Sequence, residues 1–420
     1  MGLPTGVGLA ELGNSVTCID CLESKVAALC AGQLTLYEKG LKEVFDKNTA
    51  CGRLRFTTCM AEGVRGADVV MVAVGTPPHP ETGEADLQYI YAAVEELAPH
   101  LTGYTVVAVK STVPVGTGDE VERRIRAINP AADCDVVSLP EFLREGFAMQ
   151  DFFEPDRIVV GTDSKRARKV LKELYAPLDC EKIFFVKRRS SEAIKYASNA
   201  FLAIKIHYIN EMANFCEQAG ADVREVARGM GADSRIGGHF LRPGPGYGGS
   251  CFPKDTTAMV HMAEKFGVDM SLIRTAIEGN ARRAEEMAER IIEAVKDIEN
   301  PKIAALGLAF KDGTDDCRES PAVDIITHLV ERGMEVTVYD PQAMNTARAI
   351  LGDRVTYAPD MYAPLEGADV LTTLTEWPDF RTLDLARAAT LMRHKTIIDL
   401  RNLVLAKQAE QEGFSYHGIG

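Results

Sequence analysis

The 420-residue chain has no run of about 18 uncharged apolar residues, so no conventional membrane-spanning helix is expected and no membrane partner with it. Its first residues lack the charged-then-apolar shape of a secretory signal. It has one Cys-x-x-Cys, Cys18 to Cys21, and no second pair to complete a zinc site, so no metal is expected. The ten cysteines, Cys18 to Cys317, show no pairing rhythm, which suits a reducing compartment. The cytoplasm is the expected location. There is no excess of positive charge either: a net −14 argues against a nucleic-acid partner. An anionic small molecule is not excluded, because it needs only a local group of Arg and Lys.

What is present is globular, 46% hydrophobic and 26% charged, and too long for one core. The first part alternates strands and helices. Val16–Asp20, Asp68–Val74, Tyr104–Val109 and Asp135–Leu139 read as buried strands, with helical patterns over 87–97 and 118–128. Such alternation means a parallel sheet covered on both faces. From about Ser191 to Ile298 the strand signal disappears. Glu192–Ala219 is a long apolar-periodic helix with Gly220 as its stop, and Arg274–Val295 is a second. The first is apolar over so much of its surface that burial or a subunit interface is expected. Alternation resumes near Lys302, with strands at Ile303–Gly307, Glu335–Tyr339, Asp369–Leu374 and Thr396–Leu400. The fold class is α/β: two Rossmann-like parallel-sheet domains, over 1–190 and 299–420, joined by a central helical domain over 191–298. The outer domains echo each other, since Val16–Asp20 and Val336–Asp340 both follow Gly-x-x-Val-Thr spacing and end in Asp.

Asp20, closing a strand, is placed to take adenosine ribose hydroxyls. Such a carboxylate should follow a G-x-G-x-x-G by about 20 residues. Gly2 lies eighteen residues upstream and would be the last of the three glycines. The preceding strand and the first two glycines are absent from this chain, so the sheet is expected to lack its first strand and to expose apolar helix surface. Either the chain is a truncated product, or the product itself is expected to bind a dinucleotide poorly. Gly6 and Gly8 fall inside the helix, where small residues permit close packing.

The strongest local signal is Gly244-Pro-Gly-Tyr-Gly-Gly-Ser-Cys251-Phe-Pro-Lys-Asp255. Its glycines and prolines let backbone approach a ligand. Cys251 and Asp255 are four apart, so a helical turn would put thiol and carboxylate on one face. A buried structural cysteine after a loop is the plain alternative.

Together with Leu36-Tyr-Glu-Lys-Gly-Leu41, Val74-Gly-Thr-Pro77, Lys110-Ser-Thr-Val-Pro-Val-Gly-Thr117, Pro140-Glu-Phe-Leu-Arg-Glu-Gly146 and the segment Phe310–Ser320, this motif resembles the UDP-glucose 6-dehydrogenase group of the UDP-glucose/GDP-mannose dehydrogenase family. The resemblance implies oxidation of a sugar 6-hydroxyl to a carboxylate with two NAD, without release of the aldehyde. It implies Cys251 as nucleophile, through a thiohemiacetal and a thioester. Lys195 and Asn199, four apart, match the pair that stabilises the oxyanion. Asp255 matches a carboxylate working with water and the lysine. Glu141 and Glu145, also four apart, match glutamates of the site, Glu141 as base for thioester hydrolysis and as a substrate contact. Thr112 matches a threonine that orders water or cofactor. Substrate contacts implied are Arg235, from a neighbouring subunit, with Arg242, Tyr247, Gly248, Phe310, Lys311 and Arg401. Cofactor contacts implied are Gly2, Asp20, Lys25, Thr76, Thr112 and Arg318. NAD is expected over NADP, because Asp20 would repel a 2′-phosphate. The family is built as a homodimer or larger homo-oligomer around the long helix. Other readings are the same oxidation on GDP-mannose or another nucleotide sugar, a nucleotide-sugar binder without turnover, and a simple hydroxyacid dehydrogenase, which would need no cysteine.

Overall fold

A computed structural model describes residues 1–178 and 181–420; Cys180, one of the ten cysteines, lies outside the described residues. The chain divides into two compact units, Met1–Ser198 with His261–Val268, and Asn199–Val260 with Asp269–Gly420.

Among the described residues the first unit holds seven strands: β1 Val16–Ile19, β2 Leu54–Thr57, β3 Val69–Val72, β4 Thr105–Val109, β5 Cys134–Ser138, β6 Ile158–Gly161 and β7 Ile183–Val186. β3 to β7 form one sheet in sequence order, and β1 and β2 form a separate two-stranded sheet. Every residue of β4 is buried, as an apolar strand covered on both faces requires. One junction departs from the parallel expectation: β5 meets β6 antiparallel, at Ser138 opposite Gly161. The expected exposure of apolar helix surface is also not what is found. The helix Gly2–Glu11 is buried from Pro4 to Ala10, because Leu41, Phe45, Leu54 and Met149 pack with it. The half-exposed surface belongs to the strands, all of β1 and most of β3. Gly6 does sit close on its strand, where a Cβ would stand 2.6 Å from Cys18 Sγ.

The second unit holds β8 Lys302–Leu306, β9 Glu335–Tyr339, β10 Thr356–Tyr357, β11 Val370–Thr373, β12 Thr396–Asp399 and β13 Ser415–His417. Their order is β10-β9-β8-β11-β12-β13. Every pairing is parallel, which is the dinucleotide-fold order 3-2-1-4-5-6. The order reverses at β8, and ligands of such sheets bind beyond the carboxyl ends there. The strand echo is real but its carboxylates differ. Asp340 is buried and accepts from the N–H groups of Leu308, Ala309, Gln342 and Ala343 and from Trp377 Nε1. Asp20 instead closes a surface turn.

The two long central helices end where expected and begin earlier, at Arg188 and Ser271 instead of Glu192 and Arg274. One long helix spans Arg188–Ala219 and ends at Gly220, whose φ of +71° suits a C′ position. Phe252–Lys265 and Ser271–Val295 follow.

Candidate active site

In the first unit the polar groups gather where strands end. Glu141 lies in the loop after β5, with its side chain 10% exposed. Its Oε2 accepts from the Leu143 N–H at 2.6 Å, and its Oε1 stands 3.5 Å from Lys195 Nζ. Lys195 is buried and its ammonium lies 5.3 Å over the Phe142 ring. Burial raises the Glu141 carboxyl, but Lys195, Lys110 and the Leu143 N–H outweigh it and hold it below the ordinary range. Residues 140–147 are not helical, so the four-residue spacing of Glu141 and Glu145 does not give them a common helix face. Thr76 Oγ donates to the Thr112 carbonyl at 3.0 Å, tying the loops after β3 and β4 together.

At the end of β1, Asp20 accepts from the Leu22 N–H at 3.1 Å and pairs with Lys25 at 2.5 Å. The helix that Gly2 opens has no side-chain cap on its first turn, so its N–H groups are oriented for an anion. A carboxylate at the end of β1 and a helix start without a side-chain cap are two of the parts a dinucleotide fold uses.

In the second unit Cys251 immediately precedes the helix Phe252–Lys265. It is therefore not inside the helix, yet its carbonyl accepts from the Asp255 N–H at 2.9 Å, which makes the first helical turn real. The positive end of that helix favours negative charge beside the sulfur. Asp255 is 1% exposed; Asn199 Nδ2 donates to its Oδ2 at 2.6 Å and Lys254 Nζ to its Oδ1 at 2.5 Å. Lys195 and Asn199 are one turn apart on the long helix.

The glycine loop before Cys251 is held from below. Asn280 accepts from the Tyr247 N–H at 2.8 Å and donates to the Tyr247 carbonyl at 2.9 Å. Asn210 accepts from the Gly244 N–H at 2.9 Å, and Arg283 donates to the Gly244 carbonyl at 2.6 Å. A Cβ on Gly248 would lie 1.9 Å from the Glu319 carbonyl oxygen, so only glycine allows this approach. Tyr247 itself is 5% exposed, its ring part of the core rather than of an open surface.

Phe310 and Lys311 follow β8, and Arg401 follows β12, at the carboxyl edge where the strand order reverses. Arg401 donates to the Leu374 carbonyl at 2.9 Å and pairs with Glu376 at 2.9 Å. Arg318 forms a two-pronged pair with Asp316 and its guanidinium end stays exposed. Arg242 is exposed, and Arg235 is 87% exposed beside Asp233.

The description "UDP-glucose/GDP-mannose dehydrogenase family, NAD binding domain" matches residues 1–179. The central domain of the same family matches 189–282, and its UDP binding domain 304–406. The chain belongs to the UDP-glucose/GDP-mannose dehydrogenase family. It is 49% identical to the UDP-glucose 6-dehydrogenase of Rhizobium meliloti strain 1021, over 100% of this chain and 97% of that protein. It is 44% identical to the UDP-glucose 6-dehydrogenase TuaD of Bacillus subtilis strain 168, over 100% and 91%. The solved UDP-glucose dehydrogenase of Pyrobaculum islandicum is similar at 39% identity and TM-score 0.92, covering 99% of this chain and 94% of that one. NAD is thus the cofactor, and Asp20 and the Gly2 helix lie inside the NAD binding domain.

Within this family member several residues have contacts that the sequence did not disclose. Glu38 is buried and accepts from the Gly146 and Ala148 N–H groups, fixing the far end of the Glu141 loop. Lys254 lies in the cysteine motif, and its contact with Asp255 was not read from it. Asn210, Asn280 and Arg283 were hidden in helices; the available hint was an Asn and an Arg three apart on one helix face.

Proposed function

We propose that the protein oxidises UDP-glucose to UDP-glucuronate, taking four electrons from C6 through a covalent adduct on Cys251. The reading rests most on the Asp255 node, a buried carboxylate held by Asn199 and Lys254 and joined through its N–H to the carbonyl of Cys251. NAD, when bound, accepts the hydride lost from C6, once in each half of the reaction. Asp255 and its water take the proton of the 6-hydroxyl. Lys195 and Asn199 donate hydrogen bonds to the oxygen as its charge grows. The Cys251 sulfur then adds to the aldehyde carbon, and the oxygen gains a proton. Loss of the second hydride from the carbon and of the hydroxyl proton from the oxygen leaves a thioester. Glu141 removes a proton from water, whose oxygen attacks the thioester carbon, and the C–S bond breaks to return the thiolate. The balance is one alcohol, two NAD and one water to one carboxylate, two NADH and three protons.

Residues 1–190 bind NAD, 191–298 form the helical middle, and 299–420 bind the UDP part, through Phe310, Lys311 and Arg401 with Arg242, Tyr247 and Gly248. Thr76, Thr112, Lys25 and Arg318 serve the cofactor and Glu145 the site loop. A second copy of the chain covers the long helix, where Phe201, Tyr208 and Phe215 recur every seventh residue at 62%, 44% and 62% exposure. Arg235 serves the site of that second copy. The exposed free thiols of Cys21, Cys30, Cys51 and Cys59 fit a reducing cytoplasm.

Purified protein with UDP-glucose and NAD should yield two NADH per sugar; one would refute the four-electron reaction. A faster rate on GDP-mannose would overturn the choice of nucleotide. Cys251→Ser should stop turnover or halt it at the aldehyde, and a fully active serine enzyme would leave a hydroxyacid-type oxidation instead. Phe201→Glu with Phe215→Glu should yield monomers in light scattering.

A further inference from the structure

One buried charge of the first unit has no task in that scheme. Lys110 directly follows β4 and is 7% exposed. Its backbone N–H is fixed on the Val72 carbonyl at 2.8 Å. β4 and β5 pair with Val109 opposite Ser138, and the Leu139 N–H donates to the Val109 carbonyl at 2.8 Å. Lys110 and the Glu141 loop therefore leave the same edge of adjacent strands. Ser138 and Ser191 are joined hydroxyl to hydroxyl at 3.0 Å, and Ser191 Oγ also donates to the Ser138 carbonyl. Lys195 stands one turn beyond Ser191. Strand register and one hydroxyl tie thus bring Lys110, Glu141 and Lys195 together.

The lysine is neither a surface charge nor half of a structural ion pair. Among the described residues its ammonium has no hydrogen-bond or ion-pair partner. The groups that face it are Glu141 and Lys195. Glu141 in turn feels Lys195, Lys110 and, last, the amino group of Met1. The Lys195–Glu141 contact of 3.5 Å is at the limit of a hydrogen bond, so one distant ammonium is all it offers a carboxylate with so little water.

We propose that Lys110 is a positioning residue, whose buried ammonium holds Glu141 as a carboxylate and leaves the hydrogens of Lys195 for the substrate oxygen. This rests on the reading of Glu141 as the base of thioester hydrolysis. Burial lowers the Lys110 ammonium to about 8, so it is charged wherever Glu141 needs it below that pH. The direction follows from the signs. Taking away a cation raises the Glu141 carboxyl, and the protonated acid cannot activate water. The acid limb of turnover then moves to higher pH.

The test uses Lys110→Met and Lys110→Arg with two readouts. The first is an NMR titration of protein carrying carboxyl-13C glutamate, with Glu141→Gln identifying the Glu141 signal; it needs no turnover. The second is the pH profile of kcat on UDP-glucose. With methionine, the Glu141 midpoint should rise by roughly one unit or more, kcat should lose activity first on the acid side, and KM should change less. Arginine should restore the wild-type midpoint. Lys110→Gln must show the same rise if the methionine variant unfolds. An unmoved midpoint in a folded variant overturns the proposal. A midpoint that rises while the acid limb of kcat stays put upholds the tie between Lys110 and Glu141 and removes Glu141 from the base role.

Discussion

Asn280→Ala tests whether the loop before Cys251 is held by side chains or by its own backbone. The amide of Asn280 meets both backbone groups of buried Tyr247, at 2.8 and 2.9 Å. Alanine removes both partners at once. A buried backbone group left unpaired costs about 1–3 kcal/mol, so two would cost about 2–6 in a dry site. Asn280 is half-buried, and water can enter the space its amide leaves, which favours the low end, about 2 kcal/mol. For a cooperative unit of this size that is a fall in Tm of roughly 4–8 °C. Function should suffer more than stability. Cys251 is only four residues past Tyr247, and misplacement of the sulfur by an ångström costs a rate factor of about 100. We expect kcat to fall at least tenfold with a smaller change in KM for UDP-glucose, whose proposed contacts at Phe310, Lys311 and Arg401 come from the ends of β8 and β12. Calorimetry and initial rates read the two effects, and mass-spectrometric alkylation of Cys251 reports the loop itself. A variant with wild-type Tm, kcat and alkylation rate would refute the clamp.

Gly248→Ala should be worse, since its Cβ would meet a backbone oxygen at 1.9 Å and the loop has no flexible neighbour to displace; overpacking of about 1–3 kcal/mol or more and near-complete loss of turnover are expected, and a normally active alanine enzyme would contradict the packing. Asp369 carries a pH dependence that can be checked without activity. Burial raises its carboxyl, but Arg393, the Lys302 N–H and His394 outweigh that and hold it at about 2. A depressed acid adds stability above its unfolded value near 4 and loses it as pH falls towards 2, so Asp369→Asn should cost about 1–2 kcal/mol at pH 7, allowing for the half-exposed Arg393 and His394. Urea curves of the two proteins should converge between pH 4 and 2; a constant gap across that range would count against this ion-pair group as its source.

Much of the fold was legible because apolar runs and glycine stops act locally. β9 falls on Glu335–Tyr339 as its alternation indicates, and the long helix ends where Gly220 follows it. The site was legible only where chemistry is written into a motif, as around Cys251. Glu38 lies in a motif, but its role could not be read, because its carboxylate holds N–H groups more than a hundred residues away. The four-residue spacing of Glu141 and Glu145 falls in a loop, since spacing alone does not report backbone conformation. The separate β1–β2 pair and the antiparallel junction of β5 and β6 were equally invisible, as pairing direction is set by partners and not by the strand.

By itself the order of residues determined the α/β class, the helical middle, the cysteine loop and the family, because periodicity and short motifs depend on near neighbours. Only tertiary structure decided that Lys110 and the Glu141 loop leave one edge of the sheet with Lys195 of the long helix beside Glu141, and that Asn210, Asn280 and Arg283 grip the loop. Those contacts join distant segments, and their strength comes from burial, which a linear sequence does not contain.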